Sequence, residues 1–303
     1  MQSTSHLLMI RPVDFKYNTQ TAGNNKFQQE SVHENVQQLA LKEFDDFVNL
    51  LRQNDVDVWV MDDTLDPETP DSIFPNNWIS FHRSGRIILY PMFSENRRAE
   101  RREDILNQIK AKFRVSDITD LSHFERENLF LEGTGSMVLD RDAKIAYACL
   151  SVRTHAGVLA DFCARTGYKA ILFNAVDAKG FPIYHTNVMM CIGSCFSVVC
   201  LDSIPDAAER EVLVNSLTES GKPVISISLE QMNHFAGNML QVRNRQGDEL
   251  LVMSEQAYRS LTPDQITALE QYCRILYAPL YTIEQNGGGS ARCMLAEIHL
   301  PEQ

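Results

Sequence analysis

Five short segments of the chain resemble one another: "NNWISF" from Asn76, "GSMVLD" from Gly135, "TNVMMC" from Thr186, "GNMLQV" from Gly237 and "ARCMLA" from Ala291. Aligning Asn77, Ser136, Asn187, Asn238 and Arg292 gives intervals of 59, 51, 51 and 54 residues. A repeat of this period constrains the fold more than any other feature, because one such unit cannot bury its apolar face alone and must pack against its neighbours. In each segment a polar residue is expected to open a short apolar strand.

The downstream stretches recur as well. The first four segments each lead into a second apolar stretch ("RIILYP", "KIAYACL", "FSVVCL", "ELLVMS") at hairpin spacing. Helical patterns come next. Ile105, Ile109 and Phe113 recur at i, i+4 and i+8; Val158, Leu159, Phe162 and Cys163 share a face that stops at Gly167, and "DAAEREVLVNSLTESG" stops at Gly221. In "TPDQITALEQYC", Thr262 is a candidate N-cap, Pro263 takes the first helical position and Gln265 completes a capping box. A third strand closes each unit: "KAILF", "PVISIS", "RILYAPLY". One unit is split across the two ends of the sequence, with "LLMIRPV", the amphipathic run from Glu34 to Leu51 and "VDVWVM" early and "ARCMLAEIHL" late. A split unit closes a ring. The expected fold is an α/β ring of five hairpin–helix–strand modules spanning 1–303 as one domain, with the starts of the repeated strands meeting near its centre.

Composition narrows the function. A hydrophobic fraction of 44% with 22% charged residues is that of a folded globular chain. With 28 Lys and Arg against 40 Asp and Glu the net charge is −12, which gives no electrostatic basis for general nucleic-acid or anionic-membrane binding. The expected partner is a small molecule; the oligomeric state, a homodimer included, is left open. "MQSTSHLLMIRPV" lacks the pattern of a signal peptide, and "VMMCIGSCFSVVCL" (188–201) is too short and broken for a membrane span and reads as two buried strands. Seven cysteines without framework spacing suggest reduced thiols and a cytoplasmic location. Cys191, Cys195 and Cys200 invite a metal reading, but they lack paired C-x-x-C spacing, so no metal site is expected.

If the five segments converge, Cys293 meets the polar run "LEGTGS" and the tripeptide "HTN". A thiolate nucleophile needs a proton carrier, and an imidazole works best when a third group orients it. Cys293, His185 and Glu132 supply that set. Each also has a plainer role: Cys293 as a buried thiol after a flexible glycine loop, His185 as a satisfied core histidine, Glu132 as a loop carboxylate beside turn glycines.

These residues carry a resemblance. "NGGGSARCM" resembles the terminal cysteine motif of the guanidine-modifying superfamily, which comprises arginine deiminases, dimethylarginine dimethylaminohydrolases and amidinotransferases built on the five-bladed α/β propeller called the pentein. "LEGTGS" is similar to that superfamily's Glu-Gly-Gly-Asp segment, "YHTNV" to its His-x-Asp segment, "CLSVRT" to its Leu-Ser-x-Arg-Thr segment, and "FPNNW" stands in the place of Phe-x-x-Asp. Through "RPVDFKYNTQT", "FPNNW" and "YHTNVMM" the chain looks most like a bacterial amidinotransferase-like subfamily described as citrulline-utilisation hydrolases. The resemblance implies Cys293 as nucleophile, His185 as general acid and then base, and Glu132 as the group orienting it. It further implies Arg153, and less directly Arg98, as binders of the substrate carboxylate, with no metal or organic cofactor. It also admits a non-catalytic, ribosome-binding pentein, which would have no reason to keep Cys, His and Glu together.

The chain departs from the superfamily pattern where the substrate's reacting group should lie. Asn77 and Asn187 replace two aspartates that hold a guanidinium, and Gly135 replaces the Asp of Glu-Gly-Gly-Asp. A buried cation is best matched by carboxylates, whereas a ureido group, with a carbonyl acceptor and N–H donors, suits an amide. A cysteine-dependent hydrolase acting on citrulline or a similar urea is therefore favoured, with arginine or dimethylarginine hydrolysis and amidino transfer as alternatives. Gly287, Gly288 and Gly289 are expected to leave room beside the sulfur for substrate.

Overall fold

The computed structural model describes residues 1–31 and 35–303. Among the described residues, fifteen strands form five three-stranded sheets of one plan. β3 (Ile79–Phe81), β4 (Arg86–Leu89) and β5 (Asp117–Asp120) make one; β6 (Val138–Asp140), β7 (Ile145–Cys149) and β8 (Lys169–Phe173) the next. β9 (Met190–Ile192), β10 (Ser197–Val199) and β11 (Val224–Ser226) make the third, and β12 (Leu240–Arg243), β13 (Glu249–Ser254) and β14 (Arg274–Ala278) the fourth. The fifth joins the two ends of the chain: β15 (Ala296–Glu297) pairs with β1 (His6–Arg11), and β1 with β2 (Asp57–Asp62). In every sheet the first pair is antiparallel and the second parallel. That pattern requires a tight hairpin followed by a crossover, and a helix supplies the crossover.

The crossover helices are α1 (Val36–Gln53), α2 (Glu103–Lys112), α3 (Ala156–Thr166), α4 (Ala207–Glu219) and α5 (Pro263–Glu270). α1 buries Ala40, Phe44, Phe47, Val48 and Leu51 on one stripe; the expected start at Glu34 lies outside the described residues. α3 ends at Gly167 in the left-handed conformation, and α5 carries the expected capping box between Thr262 and Gln265. The apolar core is divided into four clusters, each joining residues of neighbouring sheets. First strands of adjacent sheets touch, β3 against β15, β6 against β9 and β9 against β12. They line the axis of a five-bladed α/β propeller, as the split repeat implied.

One expectation needs correction. The polar residues at the repeat positions do not open strands. Asn77, Ser136, Asn187 and Arg292 sit on single helical turns, Pro75–Asn77, Gly133–Ser136, Thr186–Met189 and Ala291–Met294, each completed before its strand begins. A short polar–apolar junction has too few residues to show a helical period, so its turn is set by contacts across the axis.

Candidate active site

The helical turns hydrogen-bond to one another around the axis. Asn76 Nδ2 donates to Thr134 Oγ1 (3.3 Å), Thr186 Oγ1 to the Ser136 carbonyl (2.6 Å), and Asn238 Nδ2 to the Asn187 carbonyl (2.8 Å); the Arg292 N–H donates to Asn238 Oδ1 (3.1 Å). These bonds link residues about fifty positions apart and fix the repeats in register. Close approach leaves no room for a side chain at Gly135, where a Cβ would stand 2.4 Å from Asn77 Nδ2 and 2.8 Å from His185 Nδ1. The Asp missing from this position has no space to occupy.

Cys293 lies on the Ala291–Met294 turn, held by its N–H to the Ser290 carbonyl (2.9 Å). Its Sγ receives two amides, Asn238 Nδ2 at 3.3 Å and Asn187 Nδ2 at 3.5 Å. Burial pushes the thiol's pKa up, while the Ser290 turn, the amides and Arg292 pull it back. The resting sulfur is a thiol with donors already placed for a thiolate.

His185 Nε2 meets Glu132 Oε2 at 2.8 Å, and the Phe93 N–H donates to Glu132 Oε1 at 2.9 Å. Burial raises the carboxyl's pKa, but Arg153 Nη1 at 3.5 Å, the His185 bond and Arg97 Nη1 at 4.0 Å overcome this and hold it below the usual carboxylate range. Burial drives His185 down to about 4, and the Glu132 bond only partly offsets this. An ionised Glu132 can only accept, so Nε2 carries the ring proton and Nδ1 is left basic beside the cavity.

Cys293, His185, Arg153 and Asn77 line one small cavity of about 10 Å³, together with Asp71, Arg97, Phe74 and Tyr184. Glu132 stands behind His185, and Asn187 stands beside the sulfur. Arg98 does not line the cavity: its guanidinium donates to the Met92 and Phe93 carbonyls. Its neighbour Arg97 does, fully buried and bidentate to Glu100 (2.8 and 2.9 Å), with Nη1 donating to Asn77 Oδ1 at 2.8 Å. Successive residues of a helical turn point about 100° apart, so of two adjacent arginines only one can face inward. The Arg97–Glu100 spacing of i, i+3 was the available sequence signal.

A family model of eukaryotic N,N-dimethylarginine dimethylhydrolase matches residues 11–300. The chain belongs to that family. With it the chain falls in the wider pentein guanidine-modifying superfamily, whose hydrolases act on C–N bonds of guanidino compounds. No curated protein matches the chain in sequence. Among solved structures, ArgZ, an arginine dihydrolase of the cyanobacterial ornithine–ammonia cycle, is 15% identical with a TM-score of 0.77, covering 98% of this chain and 41% of its own. The chain thus spans less than half of ArgZ. A cysteine-to-serine variant of the ArgZ N-terminal domain bound to substrate matches at the same identity and TM-score over 98% of both chains. A cysteine-to-serine variant of the dimethylarginine hydrolase DDAH of Pseudomonas aeruginosa, in complex with citrulline, is 15% identical with a TM-score of 0.65, over 98% of this chain and 100% of its own.

In this dimethylarginine hydrolase family member the cavity is roofed by residues 18–29. Asn18 Nδ2 donates to Asp71 Oδ2 (2.8 Å), Arg153 Nε to Asn24 Oδ1 (2.8 Å) and Arg153 Nη2 to the Thr21 carbonyl (3.1 Å). Of the glycine triplet, Gly287 and Gly289 line the cavity with Cys293, as expected, and the triplet also admits the roof and Phe74. Gly288 adopts φ +62, and a Cβ there would stand 2.5 Å from Asn25 Nδ2; at Gly287 and Gly289 it would meet the Phe74 ring at 2.7 and 2.9 Å. The roof, Asp71 and Tyr184 carry no repeat signature, so their part in the site was not legible in the sequence.

Proposed function

We propose that residues 1–303 act as one catalytic unit that hydrolyses a C–N bond of a ureido group on an arginine-related amino acid, with citrulline favoured. The observation that supports this is the polarity of three buried atoms without hydrogen-bond partners among the described residues: the donor Asn77 Nδ2 and the acceptors Asn187 Oδ1 and Asp71 Oδ1. Arg97 cannot accept, so its bond to Asn77 Oδ1 fixes that amide with Nδ2 outward. Asn187 spends its Nδ2 on Cys293 and so presents Oδ1. One donor and one acceptor near the sulfur match a ureido carbonyl and its N–H; a guanidinium would oppose Asn77 Nδ2 with another donor.

In this reading Arg153 binds the α-carboxylate and Asp71 Oδ1 the α-ammonium. His185 Nδ1 takes the Cys293 proton as the sulfur attacks the ureido carbon, and Glu132 stabilises the imidazolium that forms. The imidazolium then protonates the departing amine, leaving a thiocarbamate on Cys293. Water, deprotonated by His185, attacks that carbon and releases the thiol. No step calls on a metal or cofactor.

Guanidine hydrolysis is the second reading, favoured by the family and by the unpaired Asp71 oxygen, which a cation would also satisfy. Turnover of citrulline, arginine and dimethylarginine, with intact mass of the trapped adduct, separates the two. Citrulline should give the highest kcat/KM and a thiocarbamate mass. Asn77→Asp keeps the Arg97 bond but removes the donor, so the arginine-to-citrulline ratio of kcat/KM should rise about tenfold or more. A wild-type preference for either guanidine, with a ratio unmoved by Asn77→Asp, overturns the ureido reading.

A further inference from the structure

The first strands run from the helical turns at the active end to hairpin turns at the other, so the β3–β4 and β6–β7 turns lie on the face opposite the cavity. There they border a cleft of about 350 Å³ lined by Arg83, Arg86, Arg141, Lys144 and Arg165, with His82 and His299 also in its wall and no carboxylate in its lining. A concentration of five cations is unexpected in a chain of net charge −12.

Neutralisation within the cleft is incomplete. Arg86 is paired with Asp117 (2.8 Å) and Arg165 with Asp161 (2.6 Å), whereas Arg83 and Lys144 have no carboxylate partner among the described residues. Arg141 has a side chain only 7% exposed; its Nη1 donates to the Phe81 carbonyl and its Nη2 faces Glu297, both at 3.5 Å, and it also bonds Tyr168. Lys144 lies at φ +58 in the β6–β7 turn, a left-handed conformation in which Gly or Asn is usual, and its ammonium stands 4.6 Å from the centre of the Tyr168 ring. Burial and the surrounding cations Arg141, Lys144 and Arg86 drive His82 well below its ordinary pKa, as a positive local field requires.

We propose that this cleft binds the phosphoryl group of a small phosphorylated metabolite. Arginine forks match phosphate oxygens bidentately, a lysine adds a point charge, and both act more strongly in a concave, partly desolvated setting. The adjacent Tyr168 ring gives a phosphorylated molecule an apolar surface beside its anionic end.

Calorimetric titration of the whole chain at fixed ionic strength, with inorganic phosphate, pyrophosphate, AMP and ATP as separate probes, tests this. At least one probe should bind with a Kd below about 1 mM. Lys144→Glu and Arg83→Glu should each weaken it tenfold or more, and Lys144→Gln less. Lys179→Glu, the same charge change beside the other face, should leave it unaltered. Turnover without phosphate should be unchanged in all four variants, which also shows that they fold. Preference for phosphate and pyrophosphate over AMP and ATP identifies a free phosphoryl anion; the reverse identifies a nucleotide. Equal binding by wild type and cleft variants, an equal loss in Lys179→Glu, or tight binding of a 20-nucleotide RNA with none of the small probes would overturn the proposal.

Discussion

Two buried histidine–glutamate pairs lie toward opposite ends of the propeller axis, and their chemistry is nearly the same. His185 meets Glu132 at 2.8 Å, and His299 meets Glu297 at 3.3 Å. Each carboxylate is flanked by two arginines, Arg153 and Arg97 around Glu132, Arg141 and Arg292 around Glu297. Burial drives both imidazoles down to about 4, and the flanking cations overcome burial to hold both carboxyls below their usual range. What differs is the third partner. His185 opens on a cavity that also holds Cys293, whereas His299 opens on a cleft of cations with no nucleophile. A perturbed His–Glu pair is therefore not a sign of catalysis in this fold; convergence with a thiol is.

The comparison breaks most decisively at the sulfur. Cys293→Ser should keep the fold and lose turnover by about three orders of magnitude or more, since an alcohol lacks the thiolate's nucleophilicity near neutral pH. Cys149→Ala and Cys273→Ala should leave turnover intact, with stability losses of about 1–3 kcal/mol at these buried positions. Steady-state kinetics beside thermal melts measures both, and near wild-type turnover in Cys293→Ser would refute the covalent route.

Between the two pairs the contrast should be smaller but still large. His185→Ala should lower kcat by about 10²–10⁴-fold and suppress adduct hydrolysis as well as formation, as expected for a proton carrier used twice. His299→Ala should change kcat less than about threefold. Equal kinetic losses would mean that the rear pair acts on the site through Arg292, which bonds Glu297 at 2.8 Å next to Cys293 in sequence.

The smallest effect is the one in which the pairs should look alike. Both histidines have folded pKa values of about 4 against an ordinary 6.5, so the unfolded chain binds more protons between those limits. Their contribution to stability is complete above about pH 6.5 and is lost as pH falls toward 4, at up to about 1.4 kcal/mol per pH unit for each proton. The depressed Glu132 and Glu297 extend the loss below the usual carboxylate pKa. Denaturant melts across pH 4–7 should show a steep acid slope, flattened by as much as one proton in either His185→Ala or His299→Ala. A slope reduced by only one of them would show that the two environments are not equivalent.

Local patterns were legible where the chain alone sets them. "KAILF" is β8 and "ELLVMS" is β13 to the residue, and the Thr262 capping box forms as expected, because alternation and capping depend on neighbours within four positions. The polar junctions misled. Asn77 and Asn187 read as strand starts and proved to be on helical turns, whose backbone is fixed by bonds such as Thr186 to Ser136 across the axis. The glycine triplet read as space for substrate, and Gly287 and Gly289 do line the cavity with Cys293; that the triplet also admits Phe74 and the roof, contacts more than 200 positions distant in sequence, was not legible.

By itself the sequence determined the five units, their closure across the chain ends, and the meeting of Cys293, His185 and Glu132, since a repeat carries equivalent positions to equivalent places whatever the details of packing. Only the tertiary structure decided which arginine turned inward and which end of each amide faced the cavity. The oxygen and nitrogen of an asparagine are nearly the same size, so composition and spacing cannot orient them. At Asn77 the choice falls to Arg97, a pure donor at 2.8 Å, and at Asn187 to the sulfur at 3.5 Å.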